Sequence, residues 1–311
     1  MQPVEPYHIP ALLEPSLEGL AIHPGGVYVD CTLGGGGHSR AILSRLDARA
    51  GGRLLSFDQD SDAIARVGDD ADFAGNGAFT AVWGNFRYLR NFLRYYGTDA
   101  VDGILADLGV SFHHFDDPTR GFSFRWQGPL DMRMNHLAAT DAATLVNNAG
   151  AERLETIFRL YGELPQSRRL ARAIADAAKA EPITTVERLA EVVRPLVNPR
   201  REKKELAQIF QALRIEVNDE IGALRSLLTQ AIDVLKPGGR LAVITYHSLE
   251  DRLVKNFMRS GNLEGKVEKD FYGRQLSPLR LLNSKPIVPD ADEIERNPRS
   301  RSAKLRVAQK I

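Results

Sequence analysis

Three aspartates close apolar runs in this chain. Asp30 follows Val27-Tyr28-Val29, Asp58 follows Arg53-Leu54-Leu55-Ser56-Phe57, and Asp107 follows Val101-Asp102-Gly103-Ile104-Leu105-Ala106. Between the first two lies the run Gly34-Gly35-Gly36-Gly37, closed by His38. Four glycines make a backbone that bends sharply and leaves room for a ligand to lie on it. Asp58 stands 22 residues beyond Gly36, the distance at which a βαβ unit sets an acidic side chain against a ribose. The chemistry on offer is therefore the holding of a nucleotide-type cofactor. The dehydrogenase fingerprint Gly-x-Gly-x-x-Gly fails, because counting from Gly34 and Gly36 puts Ser39 at its third glycine. The Gly-Lys-Ser/Thr phosphate loop is absent as well. S-adenosylmethionine fits better: it has a ribose diol for a carboxylate, an adenine for apolar walls, and a sulfonium and ammonium that favour nearby negative charge. A nicotinamide enzyme stays open as the weaker alternative on spacing alone.

These residues need a frame, and the periodicity supplies one. Strands are expected at Val27–Asp30, Arg53–Asp58, Phe79–Trp83, Val101–Gly109 and Arg240–Tyr246, separated in the first part by helical patterns such as Ile42, Leu43 and Leu46. Strands alternating with helices imply a parallel, doubly wound α/β sheet, whose ligands bind outside the carboxyl ends of the strands. Asp30, Asp58 and Asp107 all fall at those ends. Lys304–Ala308 alternates as a closing antiparallel edge strand. A short entry helix is expected over Pro10–Leu20.

From Phe112 to Asn135 the chain is rich in Gly, Pro, Asp and aromatic residues, a long ordered loop. Helical stripes follow at Leu154, Ile157, Phe158 and Tyr161; at Leu170, Ala171 and Ile174; at Leu189, Val192, Val193 and Leu196 behind a capping box of Thr184 and Glu187; and at Leu206, Ile209, Phe210, Leu213 and Val217. Residues 112–216 are expected to form a helical insertion that divides a cofactor-binding domain of residues 1–111 and 217–311. A length of 311 residues agrees with two domains. Net charge is +1, so any contact with nucleic acid must rest on local patches. The lone Cys31 excludes an internal disulfide and a multi-cysteine metal site; no metal is expected. Neither a signal peptide nor a membrane span is read from the sequence, which points to a soluble cytoplasmic protein with no stable protein partner.

Five blocks then carry a resemblance. Asp30-Cys31-Thr32-Leu33-Gly34-Gly35-Gly36-Gly37-His38, Asp107-Leu108-Gly109-Val110-Ser111, Arg120-Gly121-Phe122-Ser123-Phe124, Gly128-Pro129-Leu130-Asp131-Met132-Arg133-Met134 and His247-Ser248-Leu249-Glu250-Asp251-Arg252 resemble, in order, the signature blocks of the bacterial 16S ribosomal RNA cytosine-N4 methyltransferase family (RsmH type). Asn297-Pro298-Arg299-Ser300-Arg301-Ser302 resembles its carboxyl-terminal block. The resemblance covers nearly the whole chain. It implies a class I, Rossmann-like methyltransferase fold with an inserted all-helical, RNA-recognising domain, S-adenosylmethionine as methyl donor, and methylation of a cytidine N4 amine in the decoding region of 16S rRNA within the small ribosomal subunit.

It also implies cofactor contacts at Gly36, Gly37, His38, Asp58, Phe86 and Asp107, with Phe86 as an adenine wall. A further contact falls at His114, where the family commonly carries glutamine. The amine of cytosine is a poor nucleophile because its lone pair is delocalised into the ring, so an acceptor that holds one N–H would help by positioning. The Asp/Asn-Pro-Pro-Tyr/Phe motif of DNA amino-methyltransferases is absent. Asp107, or a backbone carbonyl beside it, is the candidate catalytic acceptor, and Asp131 the second. An unstacked target base calls for aromatics, with Phe112, Phe122, Phe124 and Trp126 as candidates. Phosphate contacts are expected among Arg168-Arg169-Arg172, Arg200-Arg201-Lys203-Lys204 and Arg296-Arg299-Arg301-Lys304-Arg306. The rival readings are an RNA-binding or assembly module with a vestigial pocket, and a nicotinamide-dependent oxidoreductase.

Overall fold

The computed structural model describes residues 10–110 and 115–311. The chain divides into two compact units: residues up to Gly109 together with Gly222–Ile311, and Val110–Ile221. The second boundary lies beyond the expected 216/217, because a helix over Glu202–Asn218 runs through that point and ends only where Asp219 turns left-handed (φ 46°).

Among the described residues of the first unit, seven strands form one sheet: β1 Val27–Asp30, β2 Arg53–Asp58, β3 Phe79–Trp83, β4 Val101–Asp107, β5 Leu235–Thr245, β6 Leu279–Leu281 and β7 Lys304–Lys310. Their order is β3-β2-β1-β4-β5-β7-β6. The first five run parallel, and β7 is antiparallel to both β5 and β6. Successive side chains point to opposite faces, and both faces are buried. Val29, Leu55, Phe57, Ile104, Ala106, Leu241 and Val243 join one apolar cluster, and Tyr28, Leu54, Leu105, Ala242, Ile244 and Leu305 join the other. Helices α1 Leu13–Leu20, α2 Gly37–Leu43 and α3 Ser61–Gly68 cover the second face through Leu17, Leu20, Ile42, Leu43 and Val67. The first face is covered by α4 Leu89–Tyr95, by the helix Glu220–Val234 and by the helix Ser248–Ser260, through Leu93, Leu224, Leu228, Val254 and Phe257. Each of these leucines, fully buried, contributes about 1.5–3 kcal/mol of transfer free energy.

Two expectations change here. Lys304–Ala308 is antiparallel but not an edge, since β6 pairs along its outer side from Leu279↔Lys310 to Leu281↔Ala308. A strand of three residues leaves no period in the sequence, so β6 escapes notice. The strand expected at Arg240–Tyr246 already begins at Leu235, with Lys236-Pro237-Gly238-Gly239 inside it as a register shift where pairing jumps from Val101↔Leu235 to Gly103↔Arg240.

The second unit contains α5 Ala142–Asn148, α6 Gly150–Leu160, α7 Ser167–Ala180, α8 Val186–Val193 and α9 Glu202–Asn218. Their apolar stripes close over Leu154, Ile157, Phe158, Leu170, Ile174, Leu189, Val193, Ile209 and Leu213. The cap of α8 is Thr185, whose side chain accepts from the Arg188 N–H, and not Thr184. Thr184 instead gives its carbonyl to the Leu130 N–H, and Glu187 accepts from the Gly128 N–H. The expected capping box is thus spent on tying the loop of residues 128–130 to the helix start. Continuing the chain order, the helix Glu220–Val234 is α10, Ser248–Ser260 is α11 and Ala291–Arg296 is α12. No helix among the described residues is long and apolar enough to cross a membrane.

Candidate active site

Asp30 ends β1 with no exposed surface. Its Oδ2 accepts from the Ser39 hydroxyl at 2.7 Å, and its Oδ1 from the Thr32 N–H at 3.0 Å and the Thr32 hydroxyl at 3.3 Å. Ser39 also shares a hydrogen bond with Ser56 at 2.8 Å. Ser39, the residue that breaks the dehydrogenase count, is thus the buried hydroxyl that fastens α2 to the first two strands. Burial pushes the Asp30 carboxyl up to about 6 in spite of these donors, with the Asp58 charge adding to the rise.

Asp107 ends β4. Its N–H donates to the Thr32 hydroxyl oxygen at 2.8 Å, and its Oδ1 accepts from the Tyr246 hydroxyl at 2.9 Å. Its Oδ2 lies 3.7 Å from His38 Nδ1. His38 is buried, and its Nε2 stands 3.2 Å from the Ala11 carbonyl. A carbonyl only accepts, so the neutral ring carries its proton on Nε2 and turns the Nδ1 lone pair toward Asp107. Burial drives the His38 pKa down to about 4, so the ring is neutral at pH 7. Asp107 therefore gains no cation there. Its carboxyl is pushed up to about 7, by burial first and then by the charges of Asp30 and Glu250, against the favourable Tyr246 hydrogen bond.

Asp58 ends β2 and holds the turn. Its Oδ2 accepts from the Gly34 N–H at 2.8 Å, and its Oδ1 from the Asp60 N–H at 2.9 Å. Asp60, not Asp58, caps α3, accepting from the Asp62 N–H. A carboxylate oxygen can accept more than one hydrogen bond, so clamping the turn does not by itself close Asp58 to a ribose. Phe86 opens a single 3-10 turn, Phe86–Tyr88, capped by the Asn85 side chain. It is half-buried against the sheet core. It lies three residues past Trp83, the register partner of Asp58.

The glycines divide by task. Gly36 has φ +79°, and a Cβ there would lie 3.0 Å from the Phe73 ring; at Gly37 it would lie 2.9 Å from Pro10. A Cβ on Gly35 would meet nothing within 4 Å, and one on Gly34 only the Thr32 carbonyl oxygen at 4.0 Å. The turn is packed on one side and open on the other, which is the cradle a cofactor requires. The structure brings Asp30, His38, Asp58 and Asp107 into one network with the turn, and places Phe86 at the end of the neighbouring strand. His114 lies outside the described residues, as does Phe112. Thr32, Ser39 and Tyr246 do site work that sequence reading overlooks. Tyr246, a polar-tipped aromatic closing the buried run Leu241–Thr245, carries the one signal that could have marked it.

The other sequence candidates separate within the helical unit. Asp131 is committed: its oxygens accept from the Arg133 N–H, Nε and Nη2 at 2.7–2.9 Å. Phe122 is buried, and Phe124 packs edge-on to Phe210 at 5.7 Å, while Trp126 is exposed and donates to the Phe115 carbonyl. Arg168, Arg169, Arg172, Arg200, Arg201, Lys203 and Lys204 are all exposed. In the sheet unit the carboxyl-terminal basic cluster is broken by β7. Arg306 is buried and donates to Asp251 at 2.6 Å, and Lys304 donates to the same carboxylate. Arg296, Arg299 and Arg301 remain exposed.

Five parallel strands with an antiparallel β7 inserted between β5 and β6, and a glycine turn with carboxylates at the strand ends, define a class I methyltransferase. The sequence matches the MraW methylase family over residues 5–311. It is 60% identical over 304 residues to the ribosomal RNA small subunit methyltransferase H of Bacteroides thetaiotaomicron, covering 98% of this chain and 97% of that protein. It is 58% identical over 306 residues to the protein of that name from Parabacteroides distasonis, covering 98% of each. The like-named protein of Amoebophilus asiaticus is 50% identical over 311 residues, with coverage of 99% and 97%. The chain belongs to the MraW methylase family.

Proposed function

We propose that this protein transfers a methyl group from S-adenosylmethionine to the exocyclic N4 amine of a cytidine in the decoding region of 16S rRNA, acting on the small ribosomal subunit in the cytoplasm. The family and the names of the relatives support a ribosomal RNA substrate; the signature blocks support the cytosine amine. The observation that carries the cofactor reading is the cluster of strand-end carboxylates at the glycine turn: Asp58 accepts from the Gly34 N–H, buried Asp30 is held by Thr32 and Ser39, and Asp107, whose N–H donates to Thr32, keeps part of its side chain exposed. Such a cluster favours a ligand with a positive centre. When bound, the cofactor supplies an electrophilic methyl on a sulfonium.

Gly36 and Gly37 present backbone to it, Asp58 meets its ribose, and Phe86 walls its adenine. His38 is a further contact, its ring held between the Ala11 carbonyl and Asp107. His114 takes the place of the family's glutamine as a further contact. Asp107, once ionised, accepts one N–H of the cytosine amine and turns its lone pair toward the methyl. The helical unit recognises RNA through its exposed arginine and lysine clusters. Incubating the protein with labelled S-adenosylmethionine and either unmodified small subunits or bare 16S RNA, then identifying the labelled nucleoside by mass spectrometry, tests this reading. N4-methylcytidine is the expected product; label on another base or none at all overturns it.

A further inference from the structure

Between α11 and β6 the sheet unit carries a hairpin, closed by a bridge of Lys269 with Gln275. At its tip Phe271 is 97% exposed and Tyr272 81%. The tip is a built turn. The Asp270 N–H donates to the Arg274 carbonyl at 2.8 Å, and the Gly273 N–H to the Asp270 carbonyl at 3.0 Å. The Asp270 carboxylate accepts from the N–H groups of Tyr272 and Arg274 at 2.9 and 2.8 Å, the local bonding by which aspartate fixes turns. Gly273 takes φ +80°, which closes the loop without strain. The chain thus orders a turn whose two central side chains bury almost nothing. Each ring forgoes on the order of 150–250 Å² of burial, so the fold alone gives no reason for their exposure. Adjacent exposed aromatics of this kind mark a contact with a partner.

The surroundings identify the partner. Residues 252–285 hold eight Lys and Arg against three Asp and Glu, in a chain of net charge +1. Of those acids, Asp270 is spent on the turn. Lys269 and Arg274 are exposed at the hairpin tip and Lys266 is exposed on the segment leading into it, and the Arg274 guanidinium lies 5.9 Å from the Tyr272 centroid. The two rings stand nearly perpendicular, 87° apart with centroids at 5.7 Å, so they offer separate faces. Ring faces beside cations suit unpaired bases with their phosphates, the pattern of single-strand recognition. A membrane surface would call for a wider apolar face free of the interleaved Glu264 and Glu268.

We propose that the hairpin tip is an RNA contact of this methyltransferase, separate from the methyl-transfer site, in which Phe271 and Tyr272 stack on unpaired bases while Lys266, Lys269 and Arg274 meet phosphates. The proposal rests on the ribosomal RNA reading above. Three full-length proteins test it: wild type, Phe271→Ala with Tyr272→Ala, and Phe271→Leu with Tyr272→Leu. Each is titrated against a fluorescein-labelled single-stranded RNA of about 12 nucleotides, a length within the usual site sizes, and against a duplex of the same length. Both double variants are expected to lose roughly tenfold or more in single-strand affinity. Duplex affinity and S-adenosylmethionine affinity are expected to stay at the wild-type values, the latter reporting an intact sheet unit. Wild-type single-strand affinity in both variants overturns the proposal, and so does retention by the Leu pair alone, which would mean apolar contact without stacking. The three proteins are also titrated against phosphatidylserine-containing phosphatidylcholine vesicles; loss of vesicle binding by the variants with RNA binding intact assigns the tip to lipid and overturns the proposal too. Nucleoside analysis of methylated 16S RNA is run on the same proteins. Wild-type methylation with unchanged variant affinity sinks only the hairpin, whereas wild type that neither binds nor methylates RNA sinks both readings.

Discussion

In the helical unit, Asp131 is gripped by Arg133 through three donors, and its carboxyl is held below the usual carboxylate range by them. In the sheet unit, Asp30 and Asp107 accept from hydroxyls, and their carboxyls rise to about 6 and 7. Each region takes aspartate out of water. One matches it with a guanidinium in the folded chain, while the other sets it beside a histidine that is neutral at pH 7 and beside further carboxylates. Desolvating a charge is costly unless a partner compensates. The matched region is finished by folding. The mismatched region is left without a matching cation in the chain, and under the proposed function a cofactor with a sulfonium and an ammonium would supply the missing sign.

The contrast breaks most sharply at Asp107. Asp107→Asn keeps the shape but cannot carry the negative charge, and single-turnover methylation at saturating cofactor is expected to fall by about a hundredfold, the scale for a preorganised electrostatic contact. A near wild-type rate would leave Asp107 as a cofactor contact only. The helical unit should answer differently. Arg133→Met strips Asp131 of its donors other than the backbone N–H, and the Ala138 carbonyl of the Arg133 Nη1 bond at 2.8 Å. Both side chains keep some exposure, 23% and 17%, so the loss is expected to be about 2 kcal/mol, within the range for an unsatisfied buried polar group and below that for a fully buried ion pair. Calorimetric unfolding should show it, with S-adenosylmethionine affinity unmoved. Lost affinity with unchanged stability would reverse the assignment of roles.

The sheet unit is legible in the sequence because its strands are apolar runs that stop at aspartates, and because glycine spacing separates one cofactor loop from another. What holds the site is less legible. Tyr246 reaches Asp107 across 139 residues, a contact that exists only because β5 lies beside β4. Thr32 and Ser39 look like ordinary turn residues until Asp30 is found buried between them. The buried ion pair of Arg306 with Asp251 is hidden for a related reason: a lone arginine in an alternating strand does not announce which face it takes. The hairpin tip lies in a segment without period, and exposed rings leave the same letters in a sequence as core rings. Thr184 and Thr185 differ by one position, and the loop pairing at Leu130 decides which of them caps α8.

Protonation offers a finer test of the contrast. With Asp107 at about 7, its carboxyl is neutral at pH 6 and ionised at pH 8, so affinity for a cation rises with pH across that window. His38, at about 4, stays neutral throughout and adds nothing. S-adenosylhomocysteine lacks the sulfonium charge but shares the α-amino group, so the ratio of the two affinities isolates the effect. Titration calorimetry is expected to show the preference for S-adenosylmethionine growing by about tenfold from pH 6 to pH 8 from Asp107 alone, the ratio of its ionised fractions, with Asp30, at about 6, adding to the rise at the lower end. Proton release on binding should shrink across the same window. A flat ratio would mean that the acid cluster does not sense the sulfonium.

The smallest expected effect is the most selective. The Tyr246 hydroxyl donates to Asp107 Oδ1 and favours the ionised form, and so lowers a pKa that burial raises. Tyr246→Phe fills the same space and removes only that bond. The Asp107 midpoint then moves further upward, and the rise in S-adenosylmethionine preference shifts to higher pH by about one unit, the scale of a single hydrogen bond to a charged group. At pH 7 the loss in affinity is a few-fold; at pH 9, where Asp107 is ionised in both proteins, it nearly disappears. A merely structural tyrosine would weaken binding equally at every pH. A uniform loss would therefore detach Tyr246 from the acid cluster, and convergence at high pH would fix its hydroxyl as the group that keeps Asp107 ready to ionise.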